Sequence, residues 1–105
     1  MKYGLSEDII KKIQLTFSAF PELDEAILYG SRAKGNYKPG SDIDITFKGE
    51  NINLSTLNRI SLQLDDLFLP YTFDLSIYKQ IDNPDLIDLI KRVGITLYLK
   101  SNAKN

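Results

Sequence analysis

The sequence predicts an α+β fold, α/β in its layering, with helices packed on one small mixed β-sheet. Three observations carry that expectation. DIDITFK (Asp42–Lys48) and FDLSIY (Phe73–Tyr78) alternate apolar and polar residues with the period of half-buried strands. Apolar residues recur every three to four positions in two longer stretches, around Ile9–Phe20 and Leu57–Leu67, as on the buried face of a helix. The resulting order, αβ(α)βαβα(β), is that of helices layered on a sheet.

Each element has its own local reason. Ser6 can cap a first helix whose opening turn carries Glu7 and Asp8, where negative charge suits the helix dipole, and Pro21 stops it. EAILY (Glu25–Tyr29) is short, apolar and closed by Gly30, which reads as a buried strand. Ser31–Lys34 can begin a short helix directly after it. In Asp42–Lys48, Ile43, Ile45 and Phe47 share one face, and Asp42, Asp44 and Thr46 the other. Leu57, Ile60, Leu64 and Leu67 mark the second long helix, with Ser55 as its cap and Pro70 as its stop. In the next strand Phe73, Leu75 and Ile77 oppose Asp74 and Ser76. Pro84 suits the first turn of a last helix through Arg92, Gly94 suits its C-terminal end, and Ile95–Leu99 forms a closing edge strand. Leu86 and Ile90 on that helix serve either the core or an interface. The chain reads as a single domain over residues 1–105, with a frayed tail over about residues 100–105.

Composition narrows the chemistry. Thirteen basic residues face 14 acidic ones, a net charge of −1, so no broad basic face invites nucleic acid and no direct binding to it is expected. The absence of cysteine removes a disulfide framework, a thiolate metal site and a cysteine nucleophile. The absence of histidine removes a Ser-His-Asp triad and any imidazole base, so acid–base and metal chemistry falls to carboxylates. No signal peptide and no apolar run of membrane-spanning length is legible, and the expected location is the cytoplasm.

The stretch GSRAKGNYKPGSDIDI (Gly30–Ile45) concentrates what remains. Asp42 and Asp44 lie two apart on a strand, hence on one face and about 6.6 Å from each other along it. Carboxylates so placed repel unless a cation lies between them, and Mg²⁺ or a pair of divalent ions is the usual remedy, although two solvated carboxylates are as compatible with a bare D-x-D. Asp74, on the polar face of a later strand, would join them if the two strands are neighbours. Gly30 lets backbone come close to an anion, Ser31 offers a hydroxyl, and Arg32 or Lys34 offers positive charge, against the plainer reading of a strand-to-helix turn. A P-loop is not matched, because Asn36 follows the second glycine, and no G-x-G-x-x-G is present.

Taken together, Gly30-Ser31, Ala33, Gly35, Ser41-Asp42-x-Asp44 and the later Asp74 resemble the signature of the nucleotidyltransferase superfamily of the DNA polymerase beta type. In size the chain resembles a minimal nucleotidyltransferase (MNT), and the likeness covers nearly its whole length. The resemblance implies two Mg²⁺ ions on Asp42, Asp44 and Asp74, with these carboxylates as the catalytic set. It also implies ATP held at its triphosphate by Gly30 and Ser31, with Arg32 and Ser41 as further nucleotide contacts. Asp74 would help deprotonate the acceptor hydroxyl, and Ser41 would shape the turn or reach a phosphate. Proteins of this kind are paired with HEPN-domain toxins, so the implied activity is AMP transfer to a tyrosine of such a partner, in a homo- or hetero-oligomer. A binding-only antitoxin and a small-molecule nucleotidyltransferase of the aminoglycoside-modifying type are the alternatives. Larger members carry a further helical domain, which is not expected within 105 residues, and that expectation makes the last the weakest.

Overall fold

The computed structural model describes residues 1–101. In chain order the elements are α1 (Glu7–Ser18), β1 (Glu25–Tyr29), α2 (Ser31–Lys34), β2 (Ile43–Lys48), α3 (Leu54–Asp65), β3 (Phe73–Ile77), a 3₁₀ turn (Tyr78–Gln80), α4 (Pro84–Val93) and β4 (Ile95–Leu99). The strands form one mixed sheet in the order β3-β2-β1-β4, with β1 antiparallel to both β2 and β4, and β2 parallel to β3. A parallel neighbour requires a crossover, and α3 supplies it. The expected α+β architecture is therefore present, with β4 at one edge. The tail expected to fray lies, from residue 102 onward, outside the described residues.

Strand alternation divides the sheet into two unlike faces. Ala26 and Leu28 of β1, Ile43, Ile45 and Phe47 of β2 and Ile77 of β3 are buried in the main core beneath Ile13 and Phe17 of α1 and Ile60 and Leu64 of α3. Phe17 meets Phe47 edge-on at 5.4 Å and has no exposed surface. Phe17→Ala should accordingly lower the unfolding free energy by about 3–5 kcal/mol, measured by urea titration, because the cavity would open at the junction of helix and sheet. The opposite face carries a smaller cluster, Ile27 and Tyr29 of β1 against Ile90 of α4, with Leu86 packed beside them. Leu86 and Ile90 thus serve this second core. The other polar-face residues of β2 and β3, Asp44, Thr46, Asp74 and Ser76, share that side.

Local chemistry explains the boundaries, with differences from the expectations. Ser6 caps α1, its hydroxyl accepting from the Ile9 N–H at 3.2 Å. Asn53, not Ser55, caps α3: its carbonyl oxygen accepts from the Thr56 N–H at 3.0 Å, the contact an N-cap makes two or three residues ahead, and Ser55 already lies inside the helix. β2 begins at Ile43, whose N–H donates to Thr72 O at 2.9 Å, so Asp42 stands just ahead of the ladder. At the N-terminus, Lys2 and Leu5 form an isolated antiparallel bridge around Tyr3 and Gly4, both at positive φ (57° and 75°). Two successive residues of that kind are what tight two-residue hairpin turns require.

Candidate active site

The site forms where β1 ends and where β2 and β3 run side by side. The β2–β3 register sets Asp44 opposite Asp74, and the β1–β2 register sets Tyr29 opposite Asp44. Asp74 therefore joins Asp44 as the sequence anticipated, because the two strands are parallel neighbours. Burial pushes the Asp44 carboxyl up to about 6, the charges of Asp74 and then Asp42 raising it further, and the hydrogen bond shared with Asp74 acts in the same direction. This is a carboxylate pair short of positive charge. Among the described residues the ion pairs are Lys12–Asp8, Arg59–Glu22 and Arg92–Asp88, so no basic side chain neutralises it.

Gly30 explains why these carboxylates can sit so close to the backbone. It caps the N-terminus of α2 at φ 78°, ψ −157°, a region open essentially only to glycine. A Cβ there would run into the Asp44 carboxylate, Oδ2 first. The turn and the carboxylate are therefore built against each other. The N–H groups of Ser31, Arg32 and Ala33 precede the first helical hydrogen bond, Lys34 N–H to Gly30 O at 3.0 Å, and so have no partner within the helix.

Of the other expected residues, Ser41 shapes the turn, as one of its two readings had it, Asp42 lies just ahead of the strand, and Arg32 sits differently from its sequence reading. Asp42 is exposed, one residue ahead of the first strand residue, and among the described residues no group of three carboxylates is drawn closely enough to hold a metal ion. The strand register brings Asp44 and Asp74 together, and Asp42, outside the ladder, is near enough for its charge to be felt at Asp44. Ser41 uses its side chain in the turn, accepting from the Lys38 N–H at 2.8 Å. Arg32 is turned inward and is only 2% exposed, and its guanidinium donates to the carbonyls of Ser41, Tyr3 and Pro39. It does not stand free as a cation over the turn; Lys34 and Lys38 are the exposed cations of this segment.

Tyr29 was not singled out from the sequence. Its hydroxyl is shifted above the usual phenol range, by burial first, with Ser76 opposing and the charges of Asp74 and Asp44 reinforcing. Ser76 Oγ is near enough to weigh on that hydroxyl, yet it is buried and makes no hydrogen bond of ordinary geometry. EAILY read only as a short buried strand, and it is the strand register that reveals the carboxylates beside Tyr29. A cavity of about 590 Å³ between α1 and β4, lined by Leu15, Gln14 and Leu97 among others, lies at the opposite sheet edge from β3 and shares no residue with this site.

The donor set suits divalent metal. Asp44 and Asp74 present hard oxygen ligands with excess negative charge, no neighbouring cation and a glycine cradle that keeps side-chain bulk away. Comparison with known proteins agrees with the geometry. The family model described as polymerase beta, nucleotidyltransferase matches residues 11–103, and the chain belongs to that family of nucleotidyltransferases. A Methanocaldococcus jannaschii protein named as a candidate protein adenylyltransferase is 31% identical over 98 residues, spanning 84% of this chain and 94% of that one. Among solved structures, a chain of a toxin–antitoxin complex with AMP-PNP superimposes with a TM-score of 0.68 at 21% identity, covering 93% of this chain and 77% of that chain. A chain from the complex of tri-AMPylated Shewanella oneidensis HEPN toxin with MNT antitoxin gives 0.58 at 19% identity, covering 90% and 70%. At these identities the structural matches establish the shared fold.

Proposed function

We propose that this nucleotidyltransferase moves AMP from ATP to a tyrosine hydroxyl of a HEPN-type toxin and thereby acts as its antitoxin. The observation that carries the reading is the Asp44–Asp74 pair lodged against Gly30, where a triphosphate-binding turn and a metal-binding carboxylate pair meet. The adenylyltransferase name of the Methanocaldococcus jannaschii relative supports the nucleotide and the protein acceptor. The tri-AMPylated toxin in the Shewanella oneidensis complex supports the partner.

In this reading Asp44 and Asp74, with Asp42 beside them, are the residues that would hold two Mg²⁺ ions. Those ions would supply charge neutralisation for the triphosphate and the departing pyrophosphate. Gly30 and Ser31 hold the triphosphate through backbone N–H groups and the Ser31 hydroxyl. Ser41 shapes the turn that presents Asp42. The acceptor oxygen bonds to the α-phosphorus as the bond from that phosphorus to the pyrophosphate oxygen breaks, and the hydroxyl proton passes to the exposed Asp74 carboxylate.

The test is transfer of label from α-labelled ATP to a co-purified HEPN protein in the presence of Mg²⁺. Wild type should label a tyrosine of the partner, and the Asp42→Asn, Asp44→Asn double variant should not, a loss of at least about a thousandfold, as removing several kcal/mol of charge stabilisation implies. Neutralisation that survives unchanged in the double variant would instead identify a binding-only antitoxin. Label on a small hydroxylic acceptor without the partner would identify the third reading.

A further inference from the structure

Arg32 is the largest fully buried side chain among the described residues, and it carries a full charge. A buried cation without a carboxylate is costly unless hydrogen bonds and dipoles replace its water. Here they do: Nε donates to Ser41 O at 3.1 Å, Nη2 to Ser41 O at 2.9 Å and to Pro39 O at 3.3 Å, and Nη1 to Tyr3 O at 2.9 Å. Four of the five guanidinium N–H groups are thereby engaged. The rings of Tyr37 and Tyr71 flank it at 5.3 and 5.0 Å from the guanidinium carbon, where cation–π attraction adds to the hydrogen bonds.

The partners lie on separate parts of the site. Ser41 directly precedes Asp42, Tyr71 lies three residues ahead of Asp74, and Arg32 itself follows Gly30 and Ser31. Pro39 lies in the same loop as Ser41, and the third carbonyl, that of Tyr3, belongs to the N-terminal turn, ahead of the span matched by the family model. That turn is held by reciprocal Lys2–Leu5 hydrogen bonds of 3.0 and 2.7 Å and anchored by Leu5, which has no exposed surface. Tyr3 adopts φ 57°, a conformation unfavourable for a bulky residue, and its carbonyl meets the guanidinium. Gly4 is required beside it, since a Cβ would strike the Tyr37 ring and Nη1 of Arg32.

We propose that Arg32 is a positioning residue for nucleotidyl transfer: its guanidinium clamps the Ser41 carbonyl, and with it Asp42, to the Gly30–Ser31 turn, using the N-terminal turn as a brace. Only a planar fork fits the arrangement, because two of its N–H groups converge on one carbonyl while others diverge to two more. Lysine would keep the charge and lose the fork. The inference rests on the nucleotidyl-transfer reading for its kinetic consequence, though not for its structural one.

Arg32→Lys tests both. By hydrogen exchange, the amides of Ser41 and Ile43, bonded to Lys38 O and Thr72 O, should exchange at least about tenfold faster than in wild type, while those of α1 and α3 do not change. In the labelling assay, well below the melting temperature, kcat should fall by roughly thirty- to a hundredfold with the KM for ATP within about threefold, the pattern of a misplaced group rather than a lost contact. Tyr37→Leu, which removes one flanking ring at the surface, should shift both readouts the same way by a smaller factor and serves if Arg32→Lys does not fold. A rise in KM at constant kcat would make Arg32 a phosphate ligand and overturn the proposal. So would uniform acceleration of exchange across the chain, or unchanged exchange at Ser41 and Ile43. Wild type without transfer activity defeats the functional reading alone, since the exchange result still decides the clamp.

Discussion

Gly30→Ala should abolish most nucleotidyl transfer, by about a hundredfold or more in kcat, while Gly35→Ala leaves it within a few-fold of wild type. Both glycines lie at positive φ, 78° and 88°, so both substitutions strain the backbone. Their surroundings differ. A Cβ at Gly35 meets nothing within 4 Å, whereas one at Gly30 enters the Asp44 carboxylate. Gly30 also sits at ψ −157°, where a side chain is tolerated far less well than at the left-handed helical end position of Gly35. The stability losses should therefore be unequal but of one kind, roughly 1 kcal/mol at Gly35 and about 2–3 kcal/mol at Gly30. The activity losses should differ in kind, because a displacement of Asp44 by about an ångström is enough to cost two orders of magnitude. Chemical denaturation beside steady-state labelling of the partner separates the two. Equal activity in the two variants would mean that the contact between turn and carboxylate has no catalytic consequence.

How much of this was legible in the sequence follows from what is local. Alternation in DIDITFK and FDLSIY gave two strands with their buried faces, and the spacing of Ile13, Phe17, Ile60 and Leu64 gave the helices above them. These patterns depend on period alone. The nearness of Asp44 and Asp74 also needed the strand order, and it followed only once β2 and β3 proved to be parallel neighbours. Arg32 shows the limit most clearly. Directly after a glycine-serine turn, in a segment with Lys34 and Lys38, it reads as another cation offered to an anion. What turns it inward is a set of carbonyls from residues 3, 39 and 41, brought together by tertiary structure and invisible to any window of sequence. Asp42 differs only at the boundary: the strand was read one residue too long, while the charge of Asp42 is still felt at Asp44.

Asp44→Asn should make the metal-free protein more stable at neutral pH while removing its activity. The carboxyl ionises at about 6 in the folded chain against an ordinary value of 3.8, so the folded state holds its proton more tightly than the unfolded state does. Below the unfolded value both states are protonated and Asp44 behaves much like its amide. As pH rises from about 4 to about 6, the unfolded chain releases its proton first and stability falls; above about 6 the loss is complete and constant. Asparagine does not titrate, so the advantage of the variant should be near zero at pH 3.5, grow across that window and level off above it. Two pKa units correspond to about 3 kcal/mol. Asp44 is only partly buried and screened by solvent, which brings the expected gain to roughly 1–2 kcal/mol, or about five to ten degrees in Tm for a chain of this size. The measurement is thermal unfolding in chelator at pH 3.5, 5 and 7.5. Mg²⁺ should reverse the order of the two proteins at pH 7.5, because an ion that binds the folded wild type alone stabilises it by mass action and relieves the repulsion that the amide had removed. A variant no more stable than wild type in chelator would show that the Asp44 and Asp74 charges are already compensated within the fold, and would remove the electrostatic reason for a cation there.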